Sequence, residues 1–182
     1  MTVDDDLDEH RARSLGIRVG LTVLVVLFAA FWTWALFFAS KEAVNRIEDR
    51  AWAERAEQIC LDANAERLEL ADFRVIAGGD AELIRERADI VEASTVIVER
   101  MLDDIVAVTP TDRKGIEIVP LWEADYRVYI QDRYRYAEQL RESGENLPFY
   151  ETADGIPISE RIETFATDND MPSCAPPRDL TR

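Results

Sequence analysis

Histidine is almost missing from this 182-residue chain: the single one, His10, precedes the first long apolar run. With none in the body of the chain, no Ser-His or Cys-His pair can be built for nucleophilic catalysis. Cysteine is scarce as well. Cys60 and Cys174 stand far apart, which excludes zinc and haem spacings, so no metal is expected. The segments DNDM and TADG lack the twelve-residue calcium loop with its terminal glutamate and read as solvated turns. There is no G-x-S-x-G, no phosphate-cradling glycine loop and no dinucleotide fingerprint, so no cofactor is expected either. The chain reads as a non-enzyme, with carboxylate or tyrosine chemistry the one catalytic route left open. Seven glycines and seven prolines are too few for a fibrous or low-complexity protein.

Positive charge is in short supply. The 21 basic side chains face 37 acidic ones, for a net charge of -16. Past residue 40 the balance is 18 basic to 32 acidic, about -14 for the main domain. A surface of that sign repels phosphate backbones, so nucleic acid is excluded as a partner. It also keeps a helical domain soluble.

What the chain does have is one long uncharged run, VGLTVLVVLFAAFWTWALFFA, from Val19 to Ala39. About twenty such residues span the roughly 30 Å hydrocarbon core of a bilayer. Thr22 and Thr33 are its only hydroxylated side chains, and Trp32 and Trp34 sit toward its C-terminal end, where aromatic rings favour the headgroup level. The run exceeds a signal-peptide core, and Phe37-Phe38-Ala39 offers no small-residue cleavage site, so it reads as a retained anchor. Arg11, Arg13 and Arg18 in front are matched by Lys41, Arg46 and Arg50 behind, so charge alone does not orient it. The cysteines do. Both follow the run, and a lone pair in one domain suggests a disulfide made in an oxidising compartment. The expected topology is a disordered acidic cytoplasmic tail (1–18), the anchor (19–39), an extracytoplasmic helical domain (40–167) and an extended proline-rich tail (168–182) stapled by Cys60–Cys174.

The fold class expected is all-α: the anchor continuing into an antiparallel three-helix bundle, plus one short helix and an irregular C-terminal segment. Trp52, Ala56, Ile59, Ala63, Leu70, Phe73 and Ala77 mark the first bundle helix, with Gly78-Gly79 as its stop. Asp80 caps a second, whose stripe Ile84, Ala88, Val91, Thr95, Val98, Leu102 and Ile105 alternates spacings of 4 and 3. A parallel row of Leu83, Ile90, Ser94, Ile97, Met101 and Val108 widens that face enough for two neighbours. After a break at Pro110 and Gly115, a third helix is expected from about Pro120 to Ser143, stopped by Gly144. Phe149, Tyr150 and Ile156 are expected to cover the core's end. Ser159 is expected to cap a short helix through about Thr167.

On the third helix, Tyr126, Tyr129 and Arg133 fall on the inward face. Such a group is either a ligand site, an arginine fork gripping a carboxylate between aromatic walls, or a buried ion pair. Glu66 and Asp104, which interrupt the other two stripes, are the expected acids.

Several segments also carry a resemblance: Cys60, W-E-x-D-Y at 122–126, R-x-R-Y-A at 133–137, FATDNDMPSC at 165–174 and APPRDL after it. Together they resemble small single-pass membrane proteins of high-GC actinobacteria without an assigned function. The resemblance implies an envelope location and a helical ectodomain, and it brings no catalytic residues. The function expected is that of an accessory or scaffold protein bound to another envelope membrane protein. The alternative is a small-molecule-binding or sensing ectodomain centred on the third helix.

Overall fold

The computed structural model describes residues 3–38, 43–70 and 80–180, with side chains from Gly16 onward. The chain divides into two compact units, Met1–Glu42 and Ala43–Arg182.

The first unit is one helix, α1 (Val3–Phe37). Its stretch Gly16–Phe37 has a mean hydropathy of 2.2 and is long and apolar enough to cross a membrane. Both hydroxyls in it are satisfied within the helix, Thr22 donating to the Arg18 carbonyl and Thr33 to that of Ala29. The acidic residues expected to be disordered belong to this helix from Val3 onward. Once the apolar stretch is helical, each added residue extends it without a nucleation cost. Ala39, the expected end of the anchor, lies outside the described residues.

The second unit is all-helical: α2 (Arg50–Glu69), α3 (Ala81–Val106), α4 (Arg113–Ser143), α5 (Ile158–Asp168) and a 3-10 turn, Pro172–Cys174. A two-residue hairpin, β1 (Ala153–Asp154) with β2 (Ile156–Pro157), leads into α5. The helix expected to run on from the anchor instead starts at Arg50. Asp49 stops any earlier start by accepting the Trp52 amide at 2.9 Å, and Ala43–Asp49 is irregular. That irregular stretch is held by Asn169, a fully buried side chain at the end of α5. It accepts the Ile47 amide at 2.8 Å and donates to the carbonyls of Asn45 and Phe165. At the other end of α2, Phe73, Ala77 and Gly78-Gly79 lie outside the described residues.

Helix α3 packs antiparallel against both α2 and α4. Arg67 of α2 meets Ser94 of α3 while Arg55 meets Ile105; Tyr134 of α4 meets Glu99 while Arg141 meets Asp89. The α3 stripe behaves as its spacing dictates: all seven residues from Ile84 to Ile105 are buried. In the second row Ser94, Ile97 and Met101 are buried, whereas Val108 is half exposed, two residues beyond the end of α3.

α4 begins a full two turns before the expected start. Asp112 caps it by accepting the Gly115 amide at 2.8 Å, and its other oxygen accepts the Asp49 amide, so the caps of α2 and α4 are tied together. Pro120 therefore lies inside the helix, where its ring removes one backbone bond; Pro120 and its would-be partner Ile116 are both exposed. Gly115 is required for packing rather than as a break. A β-carbon there would stand 2.6 Å from the Pro110 β-carbon and 2.7 Å from the Asp112 carboxylate. Gly115→Ala should thus cost about 1–3 kcal/mol in thermal unfolding; an unchanged melting temperature would contradict this tight seat.

Beyond Gly144, which closes α4 in the left-handed region at φ 64°, Phe149 packs edge-on against Tyr129 and Tyr136. Tyr150 and Ile156, expected beside it, are exposed at 79% and 44%. Ser159 does not cap α5. Its amide and hydroxyl both donate to Glu151, fixing the loop ahead of the helix, and Pro157 precedes the first turn.

Candidate functional site

Two turns of α4 place Tyr126, Tyr129 and Arg133 on one buried face, at 1%, 3% and 0% exposure. Neither expected acid meets them. Glu66 pairs with Arg100 on the surface, and Asp104 is exposed. The carboxylate that reaches Arg133 comes instead from Asp179, in the proline-rich tail. Arg133 grips it with both terminal nitrogens, Nη1 to Oδ1 at 2.7 Å and Nη2 to Oδ2 at 2.9 Å. Arg67 of α2 adds a third contact at 3.3 Å, and the Ser94 hydroxyl of α3 donates at 3.2 Å.

The tyrosines serve the same segment. Tyr126 donates to the Cys174 carbonyl at 3.3 Å and Tyr129 to that of Pro177 at 2.8 Å, while the Arg133 guanidinium lies 5.9 Å from the centre of the Tyr129 ring. Upstream, Ser173 donates its amide and hydroxyl to Glu57, and its carbonyl accepts from Asn64. The Cys60–Cys174 disulfide closes a span of 114 residues. Leu180 then enters an apolar cluster with Ile84, Val91, Tyr136 and Leu140. The tail is therefore fastened at five points besides Ser173: a covalent bond, two phenols, an ion pair and a buried leucine. It is not wholly extended, since one 3-10 turn fits between its prolines.

Ionisation follows from this packing. Burial opposes a charge on Asp179, but hydrogen bonds and charge from Arg133, with Arg67, override it and hold the carboxyl well below the ordinary carboxylate range. Burial pushes both Tyr126 and Tyr129 upward, so neither phenol is a base near neutral pH. Because the folded pKa of Asp179 is depressed, its stabilisation is complete above the ordinary value of about 4 and is lost as pH falls toward the folded one. Stability should therefore drop below about pH 4, and Asp179→Asn should flatten that limb of the curve. Parallel acid titrations of both proteins would contradict the assignment.

Sequence reasoning found one side of this cluster and missed the other. Tyr126, Tyr129, Arg133 and the two cysteines are where the pattern put them. Asp179 carries no periodic signal; Leu180, an apolar residue next to an acid in a polar tail, is the one hint of docking. Among the described residues no group of three or more His, Cys, Asp or Glu is arranged to hold a metal ion. A shallow recess of about 210 Å3 lies on α5, lined by Glu160, Glu163, Thr164, Thr167 and Asp168, and includes none of the Tyr/Arg residues. Comparison with protein-family models, with curated proteins and with solved structures finds no match to the chain.

Proposed function

We propose that the chain is a membrane-tethered, extracytoplasmic helical domain that serves as an accessory or scaffold subunit of the cell envelope. The observation that carries this reading is the use made of the Tyr/Arg cluster. The polar side chains best suited to grip a ligand are engaged with the protein's own tail, so contacts with other molecules fall to the exposed faces of the bundle. The apolar stretch Gly16–Phe37 supports the tether, and the Cys60–Cys174 bond supports an oxidising compartment. The acidic outer surface suits a protein partner and repels nucleic acid.

Affinity purification after brief crosslinking of intact cells tests the role: another envelope membrane protein should copurify in near-stoichiometric amount. Recovery of the chain alone would contradict it. Topology is tested separately. Protease added to intact spheroplasts should remove the domain after the span and spare the N-terminal residues; full protection of the domain would reverse the orientation.

A further inference from the structure

The receptor side of the Asp179 contact is held in place by bonds in which Asp179 takes no part. Arg133 Nε donates to the Thr95 hydroxyl at 3.0 Å, and its Nη2 donates to the Ser94 hydroxyl at 3.1 Å. Thr95 in turn donates to the Val91 carbonyl at 2.6 Å. Arg67 donates from Nε to Ser94 at 3.1 Å and from Nη1 to the Asn64 side chain at 2.8 Å. Two guanidinium groups and a hydroxyl from three helices are thus aimed at one point, each guanidinium held there by bonds that do not involve the carboxylate. Preorganised donors of this kind bind a carboxylate with little ordering cost.

The occupant is of a different character. Asp179 lies in a segment with no α-helix of its own, and a third of its side chain stays exposed (34%), so the cradle opens to solvent on the tail's side. The segment is read at three further positions: the Pro177 carbonyl by Tyr129, Pro176 by burial, and Leu180 by the Ile84–Leu140 cluster. A backbone carbonyl, an acid two residues on and an apolar residue after it are the features of peptide recognition by a groove.

We infer that Arg67, Ser94, Thr95 and Arg133, with Tyr129, form a binding site for an acidic peptide segment of the form Pro-x-Asp-Leu, which the chain occupies in cis with its own C-terminus. The Cys60–Cys174 bond keeps the cis segment at high local concentration, so a segment offered in trans competes only when the tail is removed or displaced. The biological use of such a site rests on the interaction reading above; its chemistry does not. Failure to recover a partner from membranes would leave peptide binding intact, and failure of peptide binding would leave the tethered scaffold standing.

The test uses the membrane-purified chain ending at Ala175, which keeps the disulfide and every helix but lacks the occupant. A labelled peptide of residues 175–182 should bind it saturably. Asp→Asn in that peptide should weaken binding at least tenfold, as should scrambling its order, and the intact chain should not bind. Equal binding of the Asp and Asn peptides, or none by a truncated chain that still melts cooperatively, overturns the inference. If truncation prevents folding, full-length Asp179→Ala decides the matter: acetate or formate should raise its melting temperature, while chloride at equal ionic strength should not. Absence of that carboxylate rescue overturns the inference too.

Discussion

Asp179→Ala is expected to destabilise the helical domain by about 3–5 kcal/mol, more than Arg133→Met on the partner side. The reason is an asymmetry in burial. Arg133 has no exposed surface, so removing its acid leaves a full positive charge enclosed by α3, α4 and the tail. An uncompensated buried charge of that kind costs about 3–5 kcal/mol, whereas the net worth of the intact pair is far smaller. Arg133→Met leaves a different remainder. Asp179 keeps Arg67 and Ser94 and has solvent on its open side, while methionine fills much of the arginine's volume. Urea unfolding of both variants separates the cases. A larger loss for Arg133→Met than for Asp179→Ala would mean that the acid, not the arginine, is the enclosed partner.

Cys174→Ser is expected to cost about 4–5 kcal/mol. In the chain-entropy model a closed loop of roughly a hundred residues stabilises by about that much, less any strain. Here the bond spans 114 residues and ties the tail to α2 in the middle of the largest core cluster, where both sulfurs are fully buried. That figure approaches the whole net stability of a domain this size. The tail would then rest on the Asp179 clasp, Leu180 and the hydrogen bonds made by Tyr126, Tyr129 and Ser173. Cys174→Ser combined with Asp179→Ala should loosen it enough for trypsin to cleave the backbone after Arg178, whose side chain is already exposed, in the folded protein. Trypsin resistance of the double variant would show that Leu180 and the tyrosines suffice to hold it.

How much of this was legible in the sequence depended on whether a residue acted through its own helix. Every residue of the α3 stripe repeats at helical spacing, and every one is buried. The inward face of α4 was legible for the same reason, Arg133 included, because the pattern reports which side a residue lies on whatever its charge. The start of α4 was not. Pro110 and Gly115 read as breakers, yet Asp112 caps the helix between them and the Pro110 ring packs where a glycine leaves room. The boundary before α2 was hidden similarly, since Asn169, more than a hundred residues away, holds the irregular stretch that the period seemed to run through. The acid opposite Arg133 was illegible altogether. Pairing across the fold leaves no spacing, and Glu66 and Asp104 stood out only because they interrupt apolar stripes.

The tail clasp and the outward orientation meet in the state of the two cysteines. Thiol labelling of the protein, taken from its own envelope and denatured without reduction, addresses both at once. No label should attach to the monomer before reduction, and two should attach after it, on Cys60 and Cys174. Two labels per chain without reduction would contradict the staple and remove the support for an extracytoplasmic domain.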